Sequence, residues 1–223
     1  MMSTVQLVER VNRAIEYAEW SDSGAAEDVL NFQGMTSPKI KHFLNMLCSE
    51  PDSTYFEIGL ATGSTHFAAL SQNKQLRAFG ADLWLTQKNG LDGETKFLEN
   101  YEKFLGSLRT KLFSGDCFKI DLSEFFGDAR VDVYFYDGGH SADDHLHALT
   151  YFKPIFTDKF ICVIDDWNDD RVQAGTKLAI STGDFRILHQ RIMPARIGAT
   201  PPHWGDMSEW WNGMAIFVLE VVK

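Results

Sequence analysis

Cysteine is scarce in this chain of 223 residues, and the three present, Cys48, Cys117 and Cys162, are widely spaced among apolar neighbours. An odd number with no C-x-x-C pair excludes a disulfide framework, so they read as reduced core thiols. Long apolar runs are missing as well. None approaches the roughly 18 residues that a membrane span needs, and Glu9, Arg10, Arg13 and Glu16 break up the apolar core that a signal peptide would require. The expectation is a cytoplasmic protein without a membrane partner. Basic residues are outnumbered, 21 Lys and Arg against 31 Asp and Glu, giving a net charge of -10 and a pI near 5.1. Phosphates are repelled by such a surface, which argues against nucleic acid unless the fold gathers a basic patch. A small-molecule partner fits better, a cationic one included. No internal repeat or low-complexity segment is present.

The length suits one domain spanning 1–223, able to bury most of its apolar surface unaided. We divide it into an N-terminal helical cap, 1–50, and a core, 51–223. Ser3 followed by Gln6 is a capping-box pattern ahead of Val8, Val11, Ile15 and Ala18 at helical spacing. Ser37-Pro38 opens a second helix to about Cys48, with Ile40, Phe43, Leu44 and Leu47 on one face. Strands then alternate with helices: strands at Thr54 to Ile58, Leu76 to Ala81, Lys111 to Ser114, Val131 to Tyr136 and Phe160 to Ile164, with helices from Ser64, from Gly93 behind an Asp92 cap, and from Arg171. Phe185 to Met193 and Met214 to Val222 follow with no helix between them, and such neighbours pair antiparallel. The fold class is therefore α/β: a Rossmann-like, doubly wound, mostly parallel sheet of seven strands, with an antiparallel C-terminal pair and extra N-terminal helices.

Val131 to Tyr136 is apolar enough for a strand covered on both faces, and it ends in Asp137-Gly138-Gly139-His140. Phe160 to Ile164 ends in Asp165-Asp166. Ligands bind beyond such strand ends in open α/β sheets. If the two strands are neighbours, three carboxylates and an imidazole meet at one edge, and a divalent cation is the simplest compensation for that charge. The plainer alternative makes Asp137-Gly138-Gly139 a turn and Asp165-Asp166 a helix cap.

The first strand-to-helix junction carries Glu57, Gly59, Ala61, Gly63 and Ser64. A dinucleotide fingerprint anchored on Gly59 needs glycine at 61 and 64, which speaks against NAD. With Glu57, Gly59 and Gly63 the junction resembles the first motif of the class I S-adenosylmethionine-dependent methyltransferases, and the resemblance extends from Thr54 to Val222. It implies that Glu57 lies near the amino acid end of S-adenosyl-L-methionine, with Gly59, Ala61, Gly63 and Ser64 along the cofactor loop. Asp82, near the roughly 20-residue spacing at which a carboxylate takes a ribose diol, would hold the ribose. Asp116 and Cys117 would face adenine, and Asp137 would border the cofactor.

Within that family, Asp137-x-x-His140 followed by Asp165-Asp166 is similar to the metal-dependent O-methyltransferases of natural-product sugars, the catechol type being a related branch. The resemblance implies Asp137, Asp165 and Asp166 as ligands of Mg²⁺ and His140 as general base, acting on a hydroxyl of a small sugar, polyol or catechol-like acceptor. All-oxygen ligation suits Mg²⁺, and an imidazole titrating near neutrality suits the proton. Two rival expectations are a metal-independent methyltransferase with structural aspartates, and a noncatalytic cofactor- or glycan-binding module of the same fold.

Acceptor specificity is expected in the N-terminal helices, in 85–92 and in the loop 194–213, which holds His203, Trp204, Trp210 and Trp211. Its tryptophans form either a binding wall or a cover over the last strands. His66 reads as a surface or cofactor-side residue. His145 and His147, two apart on a helix, do not share a face. A homo-oligomer is compatible with the sequence but is not encoded in any motif.

Overall fold

The computed structural model describes residues 2–84, 93–106, 109–195 and 209–223. The strands are β1 (Thr54–Ile58), β2 (Arg77–Asp82), β3 (Thr110–Ser114), β4 (Val131–Tyr136), β5 (Phe156–Ile164), β6 (Phe185–Met193) and β7 (Met214–Val221). They form one sheet in the order β3-β2-β1-β4-β5-β7-β6. β1 to β5 pair in parallel, and β7 runs antiparallel to both β5 and β6. The order reverses between β1 and β4, the place where a doubly wound sheet opens a crevice at its carboxyl edge.

Eight α-helices are described: α1 (Thr4–Glu19), α2 (Glu27–Leu30), α3 (Pro38–Leu47), α4 (Ser64–Leu70), α5 (Gly93–Leu105), α6 (Leu122–Phe126), α7 (Ala142–Thr150) and α8 (Asp170–Ser181). Both halves of the Ser3–Gln6 capping box form, and Ser37 caps α3 through the Ile40 amide. The long apolar helices were legible from spacing; α2 and α6, one turn or little more, were not. α2 lies in what reads as a polar connector and depends on tertiary support. The buried Lys41 ammonium donates to the carbonyls of Val29 and Leu30 at the C-terminal end of α2 and of Phe32 just beyond it. α6 starts where the Asp121 carboxylate accepts the Ser123 and Glu124 amides, and it buries Phe125 and Phe126.

Alternate strand residues feed two cores. Tyr55, Val133, Phe135, Ile161, Val163, Ile216 and Val218 pack with α1, α3, α4 and α5 on one face. Phe56, Ile58, Tyr134, Tyr136, Cys162, Ile164 and Phe217 pack with α6, α7 and α8 on the other. The N-terminal helices thus cover a sheet face. Arg10, 1% exposed, ties α1 to the sheet through Asp132 at 2.7 Å, the Ser53 hydroxyl and the Leu47 carbonyl. The cysteines are free, as expected, and burial pushes the Cys117 thiol up to about 12. Among the described residues no helix is long and apolar enough to cross a membrane.

Candidate active site

β4 and β5 are neighbours in register, with Tyr136 opposite Ile164, so Asp137 and Asp165 leave the sheet side by side. The backbone confirms it: the Asp137 amide donates to Ile58 O at 2.9 Å and the Asp165 amide to Tyr136 O at 3.1 Å. Beyond this edge lies a cavity of about 1020 Å³ lined by the ends of β1, β2 and β4 and by residues that follow each of β1 to β5. Gly59, Ala61, Asp82, Asp116, Cys117, Asp137, His140, Asp165 and Asp166 all line it.

Gly59 sits at φ +92, where a β-carbon would lie 1.8 Å from Asp137 O, so only glycine lets the exits of β1 and β4 meet. Ala61 takes a left-handed φ of +46, and its amide donates to Asp82 Oδ2 at 2.7 Å. The Trp84 amide takes the other oxygen, Oδ1, at 2.6 Å, so the Asp82 carboxylate is fixed in plane while keeping lone pairs for a ligand. Asp116 Oδ1 accepts the Phe118 amide, and Oδ2 pairs with Lys119 at 3.1 Å. The Lys119 and Phe118 bonds hold the Asp116 carboxyl below its ordinary value.

Three residues assigned to the cofactor by their place in the motif do not line the cavity. Glu57 is fully buried, its oxygens taken by Tyr55 Oη (2.8 Å), Thr65 Oγ1 and His66 Nδ1 (2.9 Å). The reason is strand alternation: Glu57 shares a face with Tyr55 and points toward α4, whereas Ile58 and Gly59 reach the edge. His66 is accordingly a fully buried partner of Glu57 and Thr110, neither a surface residue nor a cofactor-side one. Gly63 (φ +98) packs against the Phe67 ring, and Ser64 opens α4 under the Phe32–Gly34 backbone. Both shape the turn from behind.

At the other end the acidic cluster is dense. His140 Nε2 lies 2.9 Å from Asp166 Oδ2, and donor atoms of Asp137, His140 and Asp166 fall within 4.8 Å of one another. Asp165 stands outside that trio, 4% exposed, with Oδ1 lacking any hydrogen-bond partner. Burial, then the facing charges of Asp165 and Asp166, holds the Asp137 carboxyl well above its ordinary value. Burial and Asp166 push Asp165 up to about 8. Asp166 moves down despite burial, because His140 and Asn212 donate to it. The Asp166 hydrogen bond in turn raises His140. Three crowded carboxyls, one with an orphaned buried oxygen, are a donor set that could hold a hard divalent cation.

The described tryptophans of the loop divide, one against the N-terminal helices and one on the cavity wall. Trp210 is buried on Phe43 with Nε1 donating to Glu19 Oε1 at 3.1 Å, a cover over the N-terminal helices. Trp211 lines the cavity with Asn212. Trp167 packs edge-on against Phe217 in the core, while Asn168 faces the cavity. Asn212 gave no signal in the sequence, since it lies in an irregular loop with no period or motif. Asp92, the segment 85–92, Pro201, Pro202, His203 and Trp204 lie outside the described residues. From the N-terminal cap Met35 reaches the cavity wall. His145 is buried and His147 exposed, on different faces as expected.

No family model and no curated protein matches the sequence. Solved structures do match. The SAH-bound methyltransferase PaMTH1 of Podospora anserina superposes with a TM-score of 0.60 at 16% identity, covering 96% of each chain. A candidate O-methyltransferase from Klebsiella pneumoniae gives 0.56 at 14% identity, covering 96% of this chain and 90% of that one. A candidate RNA methyltransferase, PH1948 from Pyrococcus horikoshii, gives 0.53 at 17% identity, covering 95% and 100%. With its strand order and reversed last strand, the chain has the class I methyltransferase fold.

Proposed function

We propose that the protein is an S-adenosylmethionine-dependent methyltransferase that, with Mg²⁺, methylates a hydroxyl of a small sugar, polyol or catechol-like acceptor. One observation carries the reading: a single cavity joins Gly59, Ala61, Asp82 and Asp116 at one end to Asp137, His140, Asp165 and Asp166 at the other. When bound, S-adenosylmethionine supplies a methyl group on an electrophilic sulfonium, and Mg²⁺ supplies Lewis acidity toward an acceptor hydroxyl.

The chain's own residues supply the rest. Asp82, held in plane by two amides, accepts the ribose hydroxyls, and Asp116 with Cys117 borders the adenine. Gly59 lets the backbone approach the amino acid end. Asp137, Asp165 and Asp166 would hold the cation, which answers the unpartnered Asp165 Oδ1. With Nε2 donating to Asp166, His140 receives the acceptor proton at its other ring nitrogen, Nδ1. Its bond to Asp166 makes it a stronger base in this state, and positive charge beside Asp166 draws it back toward neutrality, where a general base works best. Positioning of acceptor oxygen against methyl carbon is worth about 7 to 11 kcal/mol of barrier when reacting atoms are prealigned.

Two titrations test this on the purified protein. Calorimetry should show S-adenosylhomocysteine binding and NAD not binding. Mn²⁺, used as a paramagnetic stand-in for Mg²⁺, should bind by electron paramagnetic resonance and be lost in Asp137→Asn. NAD binding in place of S-adenosylhomocysteine sinks the methyl-transfer reading; methyl transfer that persists in chelator favours the metal-independent alternative.

A further inference from the structure

We propose that Asn212 is a positioning residue for the Asp166 carboxylate, selecting the oxygen that Asp166 presents to the cation and to His140. This rests on the metal-dependent reading of the site. Asn212 Nδ2 donates to Asp166 Oδ1 at 2.8 Å, which leaves Oδ2 on the side of His140 Nε2. A carboxylate free to rotate offers either oxygen or both. With one oxygen pinned, it offers the other in a single orientation.

The backbone around the pair explains why such a brace is needed. Asp166 occupies a left-handed φ of +53, a conformation unfavourable for a non-glycine residue that persists only where its surroundings enforce it. The enforcement comes from the turn before β7. The Trp167 amide donates to Gly213 O and the Asn168 amide to Asn212 O, both at 3.0 Å. The turn is itself closed by the Gly213 amide on Trp210 O at 2.7 Å. A β-carbon on Gly213, at φ +86, would lie 2.5 Å from Asn168 Oδ1, so the two segments are in contact along their length. Trp210, two residues before Asn212, is anchored on Phe43 of α3 and Glu19 of α1. The N-terminal helices therefore reach the acidic cluster through Trp210, then Asn212, then Asp166.

The residue type matters. Lysine or arginine would also hold the carboxylate, but its positive charge would repel a divalent cation. Aspartate would add charge to a cluster already held together against repulsion. A neutral amide donor orients Asp166 without changing the charge of the site.

The test measures Mn²⁺ affinity of the full chain by electron paramagnetic resonance, with S-adenosylhomocysteine affinity and Tm as controls. Asn212→Ala should weaken Mn²⁺ binding at least about 10-fold, the range for losing a partner behind a metal ligand, and leave S-adenosylhomocysteine binding within about 2-fold. Asn212→Ser, whose hydroxyl stops short of Asp166, should show the same loss, and it replaces the alanine variant if that variant does not fold. In an Asp166→Ala background, Asn212→Ala should cause no further weakening, because its partner is gone. Unchanged Mn²⁺ affinity, or an equal loss in both backgrounds, overturns the positioning role and leaves the metal reading standing. Failure of the unsubstituted chain to bind Mn²⁺ overturns both.

Discussion

His140 illustrates how much a single contact decides. It is exposed at the cavity mouth, and its Nε2 is held by Asp166 at 2.9 Å. His140→Ala is expected to lower kcat by 10² to 10⁴-fold, the usual contribution of a positioned general base, with S-adenosylhomocysteine affinity within about 2-fold because the cofactor end shares no bond with it. Steady-state kinetics with calorimetry decides; a variant with normal kcat removes the base assignment. His145, on the next helix turn, makes a different prediction. Burial pushes its imidazole down to about 4, its Nε2 has no partner, and its Nδ1 lies 3.4 Å from Thr176 Oγ1. Below the ordinary histidine value of about 6.5 the unfolded chain takes up a proton that the folded chain refuses, so stability falls as pH drops from about 6.5 toward 4, by up to roughly 3 kcal/mol. The raised carboxyls of Asp137 and Asp165 act with opposite sign, losing stability as pH rises. The difference between parent and variant isolates the histidine: urea unfolding at pH 7 and pH 5 should show a smaller acid loss for His145→Gln. An equal loss in both proteins excludes His145 as the cause.

The pairing of α7 with α8 sets where His140 stands, since α7 begins at Ala142. A β-carbon on Gly175 of α8 would lie 2.1 Å from Ala142 O and 2.7 Å from His145 Cβ. Alanine is the better helix former by about 1 kcal/mol, yet here the neighbour is backbone and cannot yield. Gly175→Ala should therefore be net destabilising, by about 1 to 3 kcal/mol, and should lower kcat by displacing the start of α7; a raised Tm would show that the helices can separate at little cost. Elements of this kind were only partly legible. Spacing located the five parallel strands, because each apolar run ends in a charged or glycine residue at the edge. It did not tell which face of β1 carries Glu57, because a strand buried on both sides has no polar face to reveal its register. The site carboxylates were legible because they end strands. Asn212 was not, because its position follows from two tight turns that no period encodes.

Across the whole molecule the charge balance decides what can approach. The net charge is -10, and the described cavity wall carries Asp82, Asp116, Asp137, Asp144, Asp165, Asp166 and Asp169 with no lysine or arginine among its described residues. Asp116 and Asp169 are matched by Lys119 and Arg171 at their outer sides, at 3.1 and 2.6 Å, so the neutralising groups face solvent and not the cavity. The same fold serves a protein described as a candidate RNA methyltransferase, and architecture alone does not separate an RNA acceptor from a small one. Electrostatics bears on that choice. An RNA substrate is held mainly through phosphates, each needing a nearby cationic group, and association weakens steeply as salt rises. Among its described residues this wall offers phosphates no cationic partner, whereas its carboxylates are acceptors of the kind a polyol's hydroxyls use. Electrophoretic mobility-shift titration with total tRNA at 150 mM salt should show no complex at protein concentrations up to about 10 μM, a concentration inside the roughly 10⁻⁶ to 10⁻⁴ M range over which nonspecific nucleic-acid binders associate. A complex at submicromolar protein would mean that residues 85–92 or 196–208 bring in cations that outweigh this wall, and the small-acceptor reading would give way to an RNA one.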